Sequence, residues 1–122
     1  MCIMKYLARF FAVFAIITFG FCHASHAYIE HQTATLRVLN KAAGKVQVVR
    51  VPVGYSVEYE KLNIAARKCL QSDPFDAENY FAFIEISESN QKQIFGGWMN
   101  RNEPGKNPLQ SPDYDVWLIN CE

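Results

Sequence analysis

The sequence predicts an all-β protein: one small antiparallel β-sandwich or barrel of six to seven strands, after an N-terminal signal peptide helix. Three observations predict it. Short alternating or β-branched runs recur from Thr33 to Cys121, and clusters rich in Gly, Pro, Asn and Asp punctuate them. Half of the residues are hydrophobic and 14% are aromatic, a composition that supports one packed core, and 122 residues leave room for one domain.

Residues 1–27 are expected to be removed. Lys5 and Arg9 precede an apolar run from Phe10 to Cys22, and Ser25-His26-Ala27 places small residues where a signal peptidase reads. A permanent membrane anchor would need roughly 20 apolar residues, and Cys22-His23 interrupts the run well short of that. Cys22 follows Phe21, where a lipid-attachment signal wants Gly or Ala. The expected organisation is therefore a signal peptide at 1–27 and a single β-rich periplasmic domain at 28–122, with no stable membrane span after cleavage.

Within that domain, Thr33 to Asn40 alternates, with Ala34, Leu36 and Val38 on one face and Thr35 and Arg37 on the other. That is a strand. Lys41 to Gly44 makes a hairpin connection, since glycine takes the positive φ such turns need. From Lys45 to Val53 the valines change phase, Val46 and Val48 against Val49, Val51 and Val53, and a bulge near Val48 would reconcile the halves. Pro52 suits an edge or a strand end, and Gly54 turns the chain. Tyr55, Val57 and Tyr59 then alternate with Ser56, Glu58 and Glu60.

Glu60 to Leu70 is ambiguous. Leu62, Ala65, Ala66, Cys69 and Leu70 follow a helical stripe, whereas Leu62, Ile64 and Ala66 alternate as a strand does, and Ile64 tips the expectation to a strand. Ser72-Asp73-Pro74 ends the segment, and a polar loop continues to Asn79. Tyr80 to Ser87 is apolar on both faces and so should be central. After a turn at Ser89-Asn90, Gln93 to Met99 contains Gly96-Gly97, which points to a bend or a close backbone approach. Asn100 to Asp113 is a long connection with three prolines, and Asp115 to Cys121 closes the fold with Val116 and Leu118 opposite Trp117 and Ile119.

Charge excludes some partners. Residues 1–27 hold two of the 12 basic residues and none of the 12 acids, so the remainder carries 10 against 12, a net of −2. There is no basic run, and nucleic acid and anionic membrane are not expected partners.

Two cysteines, Cys69 and Cys121, remain after cleavage, in a compartment that favours oxidation. Pairing is the simplest outcome and would close a loop of about 53 residues, valued at roughly 4 kcal/mol by chain entropy. A redox pair, a metal site and a free nucleophile compete with it. Against them stand the missing Cys-x-x-Cys and a single remaining histidine, His31, in an N-terminal stretch open to fraying.

Other constellations are weak. Glu58/Glu60 and Asp113/Asp115 are paired acids at strand spacing, which can do acid and base work when burial separates their pKa values, but outward edge charges more often deter aggregation. Glu85 shares a face with Phe81 and Phe83, where burial would raise its pKa. Phosphate-cradling loops and a serine-hydrolase triad cannot be assembled. No catalytic residue, metal or cofactor is assigned. The candidate binding surface is the long connection and its flanks: Trp98, Arg101, Asn102, Lys106 and Tyr114, flat aromatic faces beside directional donors. Trp117, on a two-faced strand, is expected in the core.

Four stretches in order, Pro52-Val53-Gly54, Leu62 to Cys69, Phe95-Gly96-Gly97-Trp98-Met99 and Asp113 to Cys121, give the domain a likeness to a known family. From about Ala34 to Cys121 it resembles the exported bacterial proteins of domain of unknown function 2155. The resemblance implies an envelope protein of a Gram-negative bacterium and a paired role for the two cysteines. It brings no assigned activity and no catalytic residues. Around Ala65-Ala66 the chain is less β-branched than the family pattern.

Together these expectations describe a non-catalytic periplasmic module whose partner is another envelope protein. Glycan or small-ligand binding through Trp98 and Tyr114 is the alternative, and an envelope hydrolase or redox enzyme ranks last. Oligomeric state is not legible. Intact-mass analysis of protein recovered from the envelope should give a chain beginning at Tyr28, and a product retaining residues 1–27 would contradict the cleavage expectation.

Overall fold

In the computed structural model, which describes residues 28–89 and 92–122, eight strands succeed one another with no helix among the described residues. They are β1 (Ile29–Glu30), β2 (Thr33–Asn40), β3 (Lys45–Pro52), β4 (Ser56–Tyr59), β5 (Leu62–Gln71), β6 (Tyr80–Glu88), β7 (Gln93–Asn100) and β8 (Tyr114–Cys121). The signal peptide expected at residues 1–27 lies outside the described residues.

The strands form two antiparallel sheets. One runs β1-β5-β6-β7, with β4 also against β5, and the other runs β3-β2-β8. Between them lies the core. Ala34, Leu36 and Val38 of β2, Val49 and Val51 of β3, and Val116 and Leu118 of β8 face Leu62, Ile64 and Ala66 of β5, Ala82, Ile84 and Ile86 of β6, and Phe95 and Met99 of β7. β6 sits between β5 and β7, as its two-faced apolar pattern predicts, with Phe81 and Phe83 half-buried on its outer side.

Two bulges decide where the cysteines point. Along β5, Ala66 pairs with Ile84 but Lys68 with Phe83, so Arg67 is an extra residue. Along β8, Leu36 pairs with Leu118 but Thr35 with Asn120, so Ile119 is another. An extra residue reverses which face the rest of a strand presents. Cys69 thereby joins Leu62, Ile64 and Ala66 on the inner face, and Cys121 joins Val116 and Leu118. The sulfurs are bonded across the sandwich, with the Cα atoms 5.5 Å apart. The β5 bulge also explains the helical stripe, because a step of three from Ala66 to Cys69 is what a helix shows as well.

Three expectations need correction. β2 and β3 pair without a slip from Thr33↔Pro52 to Asn40↔Lys45, so there is no bulge near Val48. Instead Val46 and Val48 face outward, 58% and 51% exposed, because an unbroken strand gives them the opposite parity to buried Val49 and Val51. The N-terminal stretch is also tied down: β1 pairs with the end of β5, the His31 amide donates to the Cys69 carbonyl at 2.9 Å, and its Nε2 lies 2.8 Å from Gln71 Oε1. Finally, Tyr55 is 69% exposed and precedes β4 rather than joining its inner face.

Turn chemistry follows the residues. Gly44 (φ 66°) closes the β2–β3 hairpin, and Gly54 (φ 89°) makes the turn in which the Tyr55 amide donates to the Pro52 carbonyl at 3.1 Å. That turn carries the chain from one sheet to the other. A Cys69→Ser/Cys121→Ser protein should unfold with about 4 kcal/mol less stability in a urea titration. An unchanged midpoint would show that packing alone holds the sheets together.

Candidate functional site

β7 and β8 are the outer strands on one side of the sandwich, and no described strand pairs with their far edges. The connection from Arg101 to Asp113 crosses that side. It is anchored rather than loose. Leu109 enters the core, and buried Ser111 accepts the Asp113 and Tyr114 amides on its Oγ, each at 3.2 Å. Lys41 Nζ donates to the Ser111 carbonyl at 2.9 Å and pairs with Asp115 at 3.3 Å. Asn107 Nδ2 donates to the Trp98 carbonyl at 3.2 Å. A Cβ at Gly97 would meet that amide at 2.7 Å, which is the close approach the paired glycines predict.

Between loop and strands the surface is concave. A cleft of about 380 Å³ is bounded by Trp98, Met99, Pro104, Asn107, Val116 and Trp117, and a neighbouring one of about 390 Å³ by Arg37, Arg101, Pro104, Trp117 and Ile119. Pro104 and Trp117 line both. Trp98 is 44% exposed and stands edge-to-face on Phe83, with ring centroids 5.4 Å apart. Its neighbour positions it, and one face stays available.

The five sequence-chosen residues fare differently. Trp98 and Lys106 line the first cleft, with Lys106 3.6 Å from Glu103. Arg101 lines the second but is held by its own chain: Nη1 lies 3.0 Å from Glu78 Oε1, Nη2 donates to the Glu78 carbonyl at 2.9 Å, and the guanidinium sits 4.9 Å above the Tyr80 ring. Asn102 Nδ2 donates to the same carbonyl at 2.9 Å, so these two fasten the loop instead of reaching outward.

Tyr114 is not on the surface at all. It is 6% exposed, and its hydroxyl donates to Glu60 Oε2 at 2.9 Å. Its place alternates with Val116 and Leu118, so its parity already put it on the inner face. Trp117, expected in the core, is half-buried on the outer face and lines both clefts. Arg37 also belongs to this region, and only its outward parity signalled it. Phe75 is 97% exposed in the β5–β6 loop, where its polar neighbours give no periodic signal for it.

The paired acids do not form a proton-transfer site. Glu60 sits in the β4–β5 turn with φ 53°, and Oε2 also accepts from Asn40 Nδ2 at 2.8 Å. It is therefore not on a strand face with Glu58. Glu85 is not a buried carboxyl but pairs with Arg67 at 3.3 Å on the outer face of its sheet. Among the described residues, no three of His, Cys, Asp and Glu gather as metal ligands.

A family model described as uncharacterized proteins conserved in bacteria, DUF2155, matches residues 34–121. The chain belongs to this family. The matched span runs from the start of β2 to the end of β8, so it takes in both clefts, the loop and both cysteines. No curated protein and no solved structure matched the chain.

Burial pushes the Tyr114 phenol above its ordinary value of 10.0, and the hydrogen bond to Glu60 pushes it the same way. A raised folded-state pKa means the folded protein holds this proton more tightly than the unfolded chain. The stabilisation is then complete below pH 10 and fades as pH rises through the folded-state value. Tyr114→Phe should lose about 1 kcal/mol at neutral pH and show a shallower decline in stability above pH 10 than the parent. Parallel thermal-melt profiles against pH would refute the assignment.

Proposed function

We propose that this protein is an exported, non-catalytic module of the cell envelope that binds another envelope protein through the side of the sandwich where β7, β8 and the 101–113 loop meet. One observation carries the reading: a cleft of about 380 Å³, walled by Trp98 and Trp117, lies between two strands whose outer edges no described strand occupies. Its volume suits one or two anchoring side chains of a partner, and aromatic walls with a few polar groups are typical of such contact centres. The free edges offer backbone hydrogen bonds to an extended segment.

Export is supported by the three-part pattern of residues 1–27 and by the Cys69–Cys121 bond, of a kind oxidising compartments preserve. The non-catalytic reading is supported by the side chains that drew chemical attention. Glu85, Asp115 and Glu60 are held by Arg67, Lys41 and Tyr114, and His31 lies against Gln71 on β5. Glycan recognition is the second reading, with Trp98 and Trp117 as its stacking surfaces now that Tyr114 is buried.

A photo-activated cross-linker placed at position 106 in living cells tests the first reading. It should give one reproducible protein adduct, absent with the linker at Lys61 and lost when Trp98→Ser is added. Monomer alone from position 106, together with quenching of tryptophan fluorescence by peptidoglycan fragments, would replace it with the glycan reading.

A further inference from the structure

Arg37 stands apart from the other arginines. Arg50 pairs with Glu122 at 2.9 Å, Arg67 with Glu85 at 3.3 Å and Arg101 with Glu78 at 3.0 Å. Arg37 has no hydrogen bond or ion pair from its side chain among the described residues. The carboxylates on its own sheet face are already engaged, Asp115 by Lys41 and Glu122 by Arg50.

Its surroundings are apolar. Arg37 is on the outer face of β2, the middle strand of its sheet, opposite Val48 on β3 and Trp117 on β8. Val46 and Val48 extend this surface on one side, and half-buried Ile119 on the other. Arg37 lines the cleft of about 390 Å³ together with Arg101, Pro104 and Trp117. An exposed arginine without a counter-charge at the lining of a cleft favours an anion, and its planar fork matches a carboxylate in two-point contact.

We propose that this cleft binds a carboxylate on a partner protein: an Asp or Glu side chain flanked by apolar residues, with the carboxylate on Arg37 and the apolar neighbours on Trp117, Val46 and Val48. The inference rests on the protein-binding reading above and adds the chemistry of the partner's segment. Charge complementarity and the apolar border together favour this occupant, since a free phosphate has no apolar surface to lay on that border and a sugar acid stacked on Trp117 would leave Val46 and Val48 uncovered. The charge of Arg101 is offset by Glu78, so Arg37 carries the preference for an anion.

The test uses the ¹⁵N-labelled protein and four probes: acetyl-Leu-Glu-Leu-amide, its Leu-Gln-Leu counterpart, galacturonate and inorganic phosphate. The Glu peptide should shift the Trp117 indole and Arg37 Nε–H signals, and the Gln peptide should bind at least about tenfold more weakly. Arg37→Gln should erase that difference while leaving the melting temperature unchanged, because an exposed and unpaired side chain holds nothing else in place. Equal response to the two peptides, silence at Arg37 with every acidic probe, or tighter binding of galacturonate or phosphate would each overturn the inference. Failure of the underlying reading looks different. An adduct from position 106 that forms equally in Arg37→Gln overturns the carboxylate site alone, whereas absence of that adduct overturns the protein-binding reading whatever the peptides do.

Discussion

Two sulfurs that must meet between two sheets constrain the whole molecule. A strand turns alternate side chains to opposite faces, and the inward parity of β5 is set by Leu62, Ile64 and Ala66, and that of β8 by Tyr114, Val116 and Leu118. Cys69 and Cys121 have the opposite parity. An uninterrupted strand would point each into solvent, on the far side of its own sheet. One inserted residue per strand, Arg67 and Ile119, reverses this, and both inserted side chains lie on the outside, where an extra residue displaces no packing. The covalent link and the two irregularities are one device.

That device holds one end of the sandwich, and a polar contact holds the other. Cys121 lies opposite Ala34 at the start of β2, whereas Tyr114 lies opposite Asn40 at its end. There Glu60, from the turn before β5, accepts hydrogen bonds from both Asn40 and Tyr114 and so joins the two sheets a second time. Glu60 takes a positive φ to do so, a conformation disfavoured for a residue with a side chain and here compensated by two hydrogen bonds. With both ends fastened, the side between β7 and β8 is where a crossing loop leaves concave surface, and the candidate site occupies it.

Local patterns were legible in the sequence, and tertiary decisions were not. The alternation from Thr33 to Asn40 gave β2 its bounds, and the two-faced run at 80–87 marked β6 as central, because burial on one or both faces is written directly into residue type. The valine phase change at 46–53 pointed to a bulge, whereas Val46 and Val48 simply occupy the outer face of an unbroken strand. The helical stripe at 62–70 was the trace of a bulge, and pairing register is a property of two strands. At the candidate site, the exposure of Trp98 was open, since an indole beside two glycines suits a core as well as a surface. Tyr114 was misplaced although its parity with Val116 matched the core, and Trp117 was sent inward because an indole flanking a cleft has the same composition as one in a core. The lack of a counter-charge at Arg37 was hidden entirely, since counter-charges come from distant parts of the chain.

β2 has β3 on one side, joined by a four-residue hairpin, and β8 on the other, some eighty positions later in the chain. As the polypeptide is synthesised, the first hairpin therefore waits with one backbone edge unsatisfied until every other strand has been made. During that interval its apolar face has only the other sheet to lean on. The three-stranded sheet, its bulge and the second sulfur are completed together, so a chain truncated anywhere before β8 would keep an open edge on β2 and an unpaired Cys69.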